Sequence, residues 1–176
     1  GWQSSVFWDG RVSSLEEQAL GPIPNPIEMH LDWDEAIVRL NNSDYKDLFK
    51  LAFGDEVITK ELVAMAIAQF ERTLISDNAK FDKFLTGELT LSPLEAAGFN
   101  LFFSGKAECF HCHGRPLFTD DDLHNNGLDE VFDDIGQGEV TGENADRGKF
   151  RTPTLRNIEF TAPYMPVSYT HLTLPT

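Results

Sequence analysis

Cysteine is nearly absent from this 176-residue chain, which has only 2, Cys109 and Cys112. That count rules out a disulfide framework, and no second cysteine pair is present to complete a four-thiolate zinc site. Basic residues are also scarce, 14 Lys and Arg against 29 Asp and Glu, giving a formal net charge of −15. Nucleic acid and anionic membrane surfaces carry the same sign, so the balance argues against both as partners. It suits a cationic partner, or simply a solvated acidic face around Asp120-Asp121-Asp122 and Asp133-Asp134. No apolar run approaches the length needed to span a bilayer, and no signal peptide is recognisable. The chain opens on Gly1-Trp2-Gln3 without an initiator Met, which reads as a fragment whose leader was lost. Apolar bulk, in contrast, is plentiful: 41% of residues are hydrophobic and 14 are Phe, enough for the core of one ordinary domain or two small ones.

Both cysteines fall in Cys109-Phe110-His111-Cys112-His113, a C-x-x-C-H run. This is the attachment signature of c-type haem. Two thiols three positions apart on a turn entering a helix can reach both vinyl groups of one porphyrin. The histidine that follows then offers an imidazole nitrogen to the iron. A zinc site stays open as an alternative if His111 and His124 supply the remaining ligands. Covalent haem attachment of this kind is made outside the bacterial cytoplasm, so a periplasmic location is implied.

The rest of the chain reads as mostly helical. Ser14 and Glu17 form a capping-box pattern opening a helix over 15–20, ended by Gly21-Pro22. Pro22, Pro24 and Pro26 then make an ordered loop that can aim Glu28. Further helices are expected over 33–40, from Asn42 or Ser43 to Phe53 before Gly54, and from Thr59 onward. In the last of these Val63, Ile67, Phe70 and Leu74 form a core stripe beside Met65. A short helix over 78–85 precedes Ser92-Pro93-Leu94-Glu95, the strongest helix start in the chain. That helix runs to about Phe103, and Gly98 within it suits close approach of another helix. Residues 119–148 show little periodicity and read as a long loop wrapping the haem edge. Arg151 and Arg156 bracket Thr152-Pro153-Thr154 and could hold haem propionates through bidentate pairs, or serve as surface ion pairs.

Several stretches together resemble one known family, the bacterial di-haem cytochrome c peroxidases. They are Phe7-Trp8-Asp9-Gly10-Arg11, Leu15-Glu16-Glu17-Gln18-Ala19, Gly21-Pro22-Ile23, Asn25-Pro26-Ile27-Glu28-Met29, the haem signature, and Arg151 through Met165. Family members carry two cytochrome c-like domains, each with its own C-x-x-C-H, and this chain has only the second. The resemblance therefore implies a two-domain, mostly α, cytochrome c-like architecture that is truncated. Residues 1–85 would be the remainder of the N-terminal peroxidatic domain with connecting helices. Residues 86–166 would be the C-terminal haem domain, and the first haem would lie in the missing N-terminal part.

The resemblance also implies roles. Gln18 and Glu28 match the pair facing peroxide, Glu28 being the acid–base group, and Pro22 matches the proline lining that pocket. Trp8 matches the tryptophan through which electrons pass between haems. His113 matches the proximal ligand of the electron-receiving haem. Thr161 and Pro163 match residues whose backbone carbonyls hold a calcium ion, which prefers oxygen ligands. The implied activity is reduction of hydrogen peroxide to water in the periplasm, with electrons from a small cytochrome c or copper protein and a homodimer as one assembly. Two rivals are a methylamine-utilisation relative that oxidises tryptophans of a partner protein, and a plain electron-transfer cytochrome. One departure lies at the end: after Met165 the family's repeat of Phe7 to Arg11 is missing. Residues 167–176 read as a translated sequencing adapter, so His171 has no role there. The sixth ligand of the second haem, usually Met in the family, would lie beyond this break.

Overall fold

Short hydroxyl and carboxylate side chains start the helices, by accepting hydrogen bonds from backbone N–H groups that the first turn leaves unpaired. In the computed structural model, which describes residues 3–54 and 57–162, Ser14 Oγ accepts from Glu17 N at 3.1 Å to open α1 (Leu15–Leu20). The capping box is only half made, because Glu17 Oε2 accepts from Ser13 N at 2.9 Å instead of from Ser14. Asp32 caps α2 (Trp33–Asn41). α3 (Tyr45–Phe53) begins at Asp44, while the hydroxyl of Ser43 accepts from Tyr45 N at 3.3 Å. It ends at Gly54, whose φ of +79° supplies the left-handed turn that closes a helix. Thr59 caps α4 (Lys60–Thr73), and Asp82 reaches back to Ala79 N at 2.9 Å to start α5 (Lys80–Leu85). α6 (Pro93–Phe102) has the complete box, with Ser92 Oγ accepting from Glu95 N and Glu95 Oε2 accepting from Ser92 N. The fold is thus mostly α, as expected. None of its described helices is long and apolar enough to cross a membrane.

The described residues divide into two compact units, those up to 75 with 123–151 and those of 76–122 with 152–162. The sequence-based boundary after residue 85 lies ten residues past the first break, and the segment 123–151 belongs with the first unit. In unit 1, α2, α3 and α4 enclose Phe49, Ile58 and Val63, with Trp33, Leu40 and Phe53 packed around them. α1 packs on α4, where Ala64 and Ala68 are fully buried. Small side chains there let the two helices approach closely, and Arg72 donates to both carboxylate oxygens of Glu16 at 2.7 and 3.1 Å. This corrects the expected core stripe. Val63 is buried and Ile67 packs against the same core as expected, but Phe70 is 62% exposed, and Leu74 and Met65 also face outward. The buried face of α4 extends from Val63 and Ile67 round to its alanines, because that is where α1 fits.

The loop expected over 119–148 contains more structure than its lack of periodicity suggested. β1 (Leu123–His124) pairs antiparallel with β2 (Phe150–Arg151), and α7 (Gln137–Thr141) lies between them in sequence. Gly148 has φ of +72°, and a Cβ there would lie 2.2 Å from the Phe132 ring, so only glycine fits.

In unit 2, seven phenylalanines cluster on α5, α6 and the turns that follow. Phe81 contacts Phe84, Phe99 and Phe118 at ring-centroid distances of 6.0, 6.0 and 5.0 Å. Phe103 connects the cluster to Phe110, inside the C-x-x-C-H run, at 6.4 Å. All seven rings are only half-buried, and every fully buried hydrophobic side chain among the described residues belongs to unit 1. Gly98, expected to admit a neighbouring helix, has no described atom within 4 Å of where its Cβ would be. Pro163, Met165, His171 and the whole of 167–176 lie outside the described residues.

Candidate functional site

The haem signature sits on a tight turn built for it. Glu108 adopts a left-handed φ of +57°, Cys109–His111 form one 3-10 turn, and His113 N donates to Cys109 O at 2.9 Å. Both thiols are free and partly exposed. The His113 ring is held by Nδ1, which lies 2.9 Å from the Phe118 carbonyl. A carbonyl can only accept, so Nδ1 carries the proton and Nε2 keeps its lone pair for a metal. This donor set fits haem c: two thiols at i and i+3, one imidazole nitrogen, and a half-buried phenylalanine cluster that a flat apolar ring would cover. His111, which a zinc site would need, is exposed and lies against the Phe110 ring at 4.2 Å.

Phe118 itself has φ of +55°, an unfavourable conformation for a bulky residue, costing about 1–2 kcal/mol. Its neighbours are tethered. Thr154 Oγ1 donates to the Leu117 carbonyl, and Thr119 Oγ1 donates to the Thr152 carbonyl at 2.7 Å. Arg156 Nε and Nη2 both donate to the Pro116 carbonyl, at 3.1 and 2.9 Å. Its remaining donors go to both carboxylate oxygens of Asp82 and to the Ser76 carbonyl at 2.7 Å. All five N–H donors of Arg156 are therefore in use inside unit 2. The expected propionate contact from Arg156 gives way to an internal clamp.

The Arg156 guanidinium holds the Asp82 carboxyl below its ordinary range. Lys80 and the Ser92 backbone hold Glu95 down to about 2. A carboxyl whose pKa is depressed on folding stabilises the fold above its unfolded pKa, and the stabilisation is lost as pH falls through the folded value. Unit 2 is thus expected to keep its stability from neutral pH to about 5 and lose it progressively below about 4. Lys80–Glu95 is more exposed than Arg156–Asp82 and contributes less. In thermal melts followed against pH, Asp82→Asn should flatten this acid limb. A variant with the same acid limb as the parent would show that the pair does not link folding to pH.

The residues expected at the peroxide side all belong to unit 1. In Phe7-Trp8-Asp9-Gly10-Arg11 the Arg11 guanidinium lies 3.4 Å above the Phe7 ring and pairs with Asp9 at 2.8 Å. Trp8 is left 64% exposed, its carbonyl accepting from Arg151 N at 2.8 Å. Arg151 is 5% exposed and its guanidinium donates to Ser5 Oγ, so it braces this motif from inside unit 1. Gln18 is half-buried on α1, and Gly21 N donates to its carbonyl at 3.1 Å. The loop then folds back on itself, Met29 N donating to Pro22 O at 3.2 Å and Leu31 N to Ile23 O at 2.9 Å. Glu28 is exposed, and Asn25 Nδ2 donates to its Oε1 at 2.6 Å. Its side-chain partner in this loop is Asn25.

Thr161 is exposed, its hydroxyl donating to the Asn157 carbonyl at 3.2 Å. Sequence reasoning missed Asn25, Asp82 and the Phe118 carbonyl. Asn25 and Glu28 stand at i and i+3, a spacing that brings side chains together in a turn. Asp82 is 74 positions from Arg156 and has no local signal.

A family profile described as di-haem cytochrome c peroxidase matches residues 1–90. The cytochrome c551 peroxidase of Nitrosomonas europaea is 41% identical over 164 residues, covering 90% of this chain and 48% of its own length. The methylamine utilization protein MauG of Methylophilus methylotrophus is 38% identical, covering 93% of this chain and 50% of its own length. The crystal structure of a MauG-like protein associated with microbial copper homeostasis superposes with a TM-score of 0.86 at 34% identity, over 93% of this chain and 55% of that one. The chain spans about half the length of the curated relatives it matches.

Proposed function

From the membership of this chain in the di-haem cytochrome c peroxidase family, we propose that it is part of a periplasmic enzyme that reduces hydrogen peroxide to water. The electrons would come from a small cytochrome c or copper protein. The observation that carries the reading is the Cys109–His113 turn, with His113 Nδ1 on a carbonyl and Nε2 left for iron. The family is described as di-haem and this chain has one C-x-x-C-H motif, so the other haem is assigned to protein outside these 176 residues. Unit 1 is assigned to the peroxidatic domain, and unit 2, which holds Cys109 to His113, to the electron-receiving one.

Cys109 and Cys112 would hold haem c by thioether bonds, and His113 would offer Nε2 to its iron. Haem bound there would supply one-electron exchange, relaying the electrons that reduce the peroxide bond. Glu28 moves the proton: cleavage needs one transferred from the inner to the outer peroxide oxygen, and a positioned carboxylate can do this. Asn25 holds Oε1, which leaves Oε2 as the oxygen that takes and returns the proton. Gln18, ten residues earlier on α1, offers an amide to orient the substrate, and Pro22 lines its approach. Trp8 presents an exposed indole suited to one-electron relay. The carbonyls of Thr161 and Pro163 are assigned to calcium, whose preference for oxygen ligands they suit.

A second reading rests on the similarity to proteins named for methylamine utilization, and would make the substrate a tryptophan of a partner protein. The two separate in one assay on the complete, haem-loaded protein. Peroxide-dependent oxidation of a reduced small cytochrome c is expected. Its absence, with peroxide-dependent oxidation of a protein tryptophan instead, would overturn the peroxidase reading.

A further inference from the structure

Arg156 makes five hydrogen bonds to three places, two of them to the Pro116 carbonyl, three residues past His113. The next carbonyl, Leu117, is taken by Thr154 Oγ1, and the one after, Phe118, faces His113 Nδ1 at 2.9 Å. Phe118 points that carbonyl at the imidazole while held in a left-handed conformation, φ +55°. Such a conformation persists only where its surroundings over-determine it. Two sets of contacts do so here. The Phe118 ring packs on Phe81 at 5.0 Å and Phe102 at 6.2 Å, and the two preceding carbonyls are pinned.

We propose that Arg156, braced by Asp82, is a positioning residue for His113: it pins the 116–118 turn so that the Phe118 carbonyl stays on Nδ1, and thereby sets the donor strength of the iron-facing Nε2. The inference rests on reading Cys109–His113 as the haem site and goes beyond it, because it assigns a redox role to a side chain whose hydrogen bonds go to Pro116, Ser76 and Asp82 and not to the imidazole. The physical link is the second-shell hydrogen bond. An imidazole whose N–H is held by a carbonyl is a stronger donor, and a stronger donor favours the ferric state and lowers the reduction potential. Asp82 keeps the guanidinium in register through a bidentate pair, which a lysine ammonium cannot reproduce.

The test uses the whole chain carrying its covalent haem. Attachment in the unmutated chain is read first, so failure of the haem reading shows as a colourless polypeptide and not as an unshifted potential; a colourless chain overturns the proposal as well. Arg156→Lys keeps the charge but loses the fork. It is expected to shift the haem midpoint potential positive. It should also speed water exchange of the His113 Nδ1 proton by about tenfold in the reduced, carbon monoxide-bound form, the scale of one lost hydrogen bond of about 1.4 kcal/mol. Thr154→Val, which removes the hydroxyl that donates to the Leu117 carbonyl and accepts from Arg156 N at 3.2 Å, is expected to shift both in the same direction by less. A purely structural Arg156 would lower the melting temperature and leave potential and exchange unchanged, and that result would overturn the proposal. If Arg156→Lys does not fold, Thr154→Val decides alone: a positive shift supports the clamp and an unshifted potential overturns it.

Discussion

Glu28→Gln in the complete protein is expected to lower peroxide turnover by about 100- to 10,000-fold, the usual contribution of a positioned acid–base group. The substitution keeps size and the oxygen that Asn25 holds at 2.6 Å, so the loop over 22–31 should keep its shape. Its other carboxylate oxygen becomes an amide nitrogen, which can neither accept nor return the proton. The haem at His113 should still reduce normally, since Glu28 lies in unit 1 and His113 in unit 2. Steady-state turnover with the electron donor in excess separates the two sites. Unchanged turnover there would remove Glu28 from the mechanism and leave an electron-transfer protein with the outline of a peroxidase.

Ile58→Ala should cost about 2–5 kcal/mol of stability, the range for truncating a fully buried aliphatic side chain. Ile58 is 1% exposed and sits between Phe49 and Val63, where α2, α3 and α4 meet. The residues around it are large and cannot all relax into the space left, so the loss lies above the bare transfer energy of the removed methyl groups. Phe70→Ala removes more atoms but from an exposed ring, and should stay near 0.5 kcal/mol, as for surface changes generally. Urea unfolding of both variants checks the contrast. Equal losses would mean that the outward face of α4 is a second core and not a surface.

The contrast between Ile58 and Phe70 also marks where sequence pattern stops being informative. Period alone put Val63, Ile67, Phe70 and Leu74 on one stripe of α4, and that stripe does exist geometrically. Which side is buried was decided by Ala64 and Ala68, because α1 can come close only where side chains are small. Helix starts were legible because capping is local: Ser14, Thr59 and Ser92 all cap where their hydroxyls suggest. α7 and the β1–β2 pair were not, since segments of five and two residues carry too little period to register.

The same division runs through the site. Cys109, Cys112 and His113 are contiguous and readable from spacing. The partner of His113 is a backbone carbonyl, which no side-chain motif encodes. The partner of Arg156 is Asp82, a pairing that only the folded unit brings about, and it replaces the propionate role that two arginines in a polar stretch suggested.

Covalent attachment of haem at Cys109 and Cys112 is the direct measurement. When the chain is made with c-type maturation machinery, acid–acetone extraction should leave the pigment on the polypeptide, and Cys112→Ala should weaken or abolish that retention. Haem that extracts cleanly from the unmutated chain would contradict the assignment of Cys109–His113, and with it the electron-receiving site.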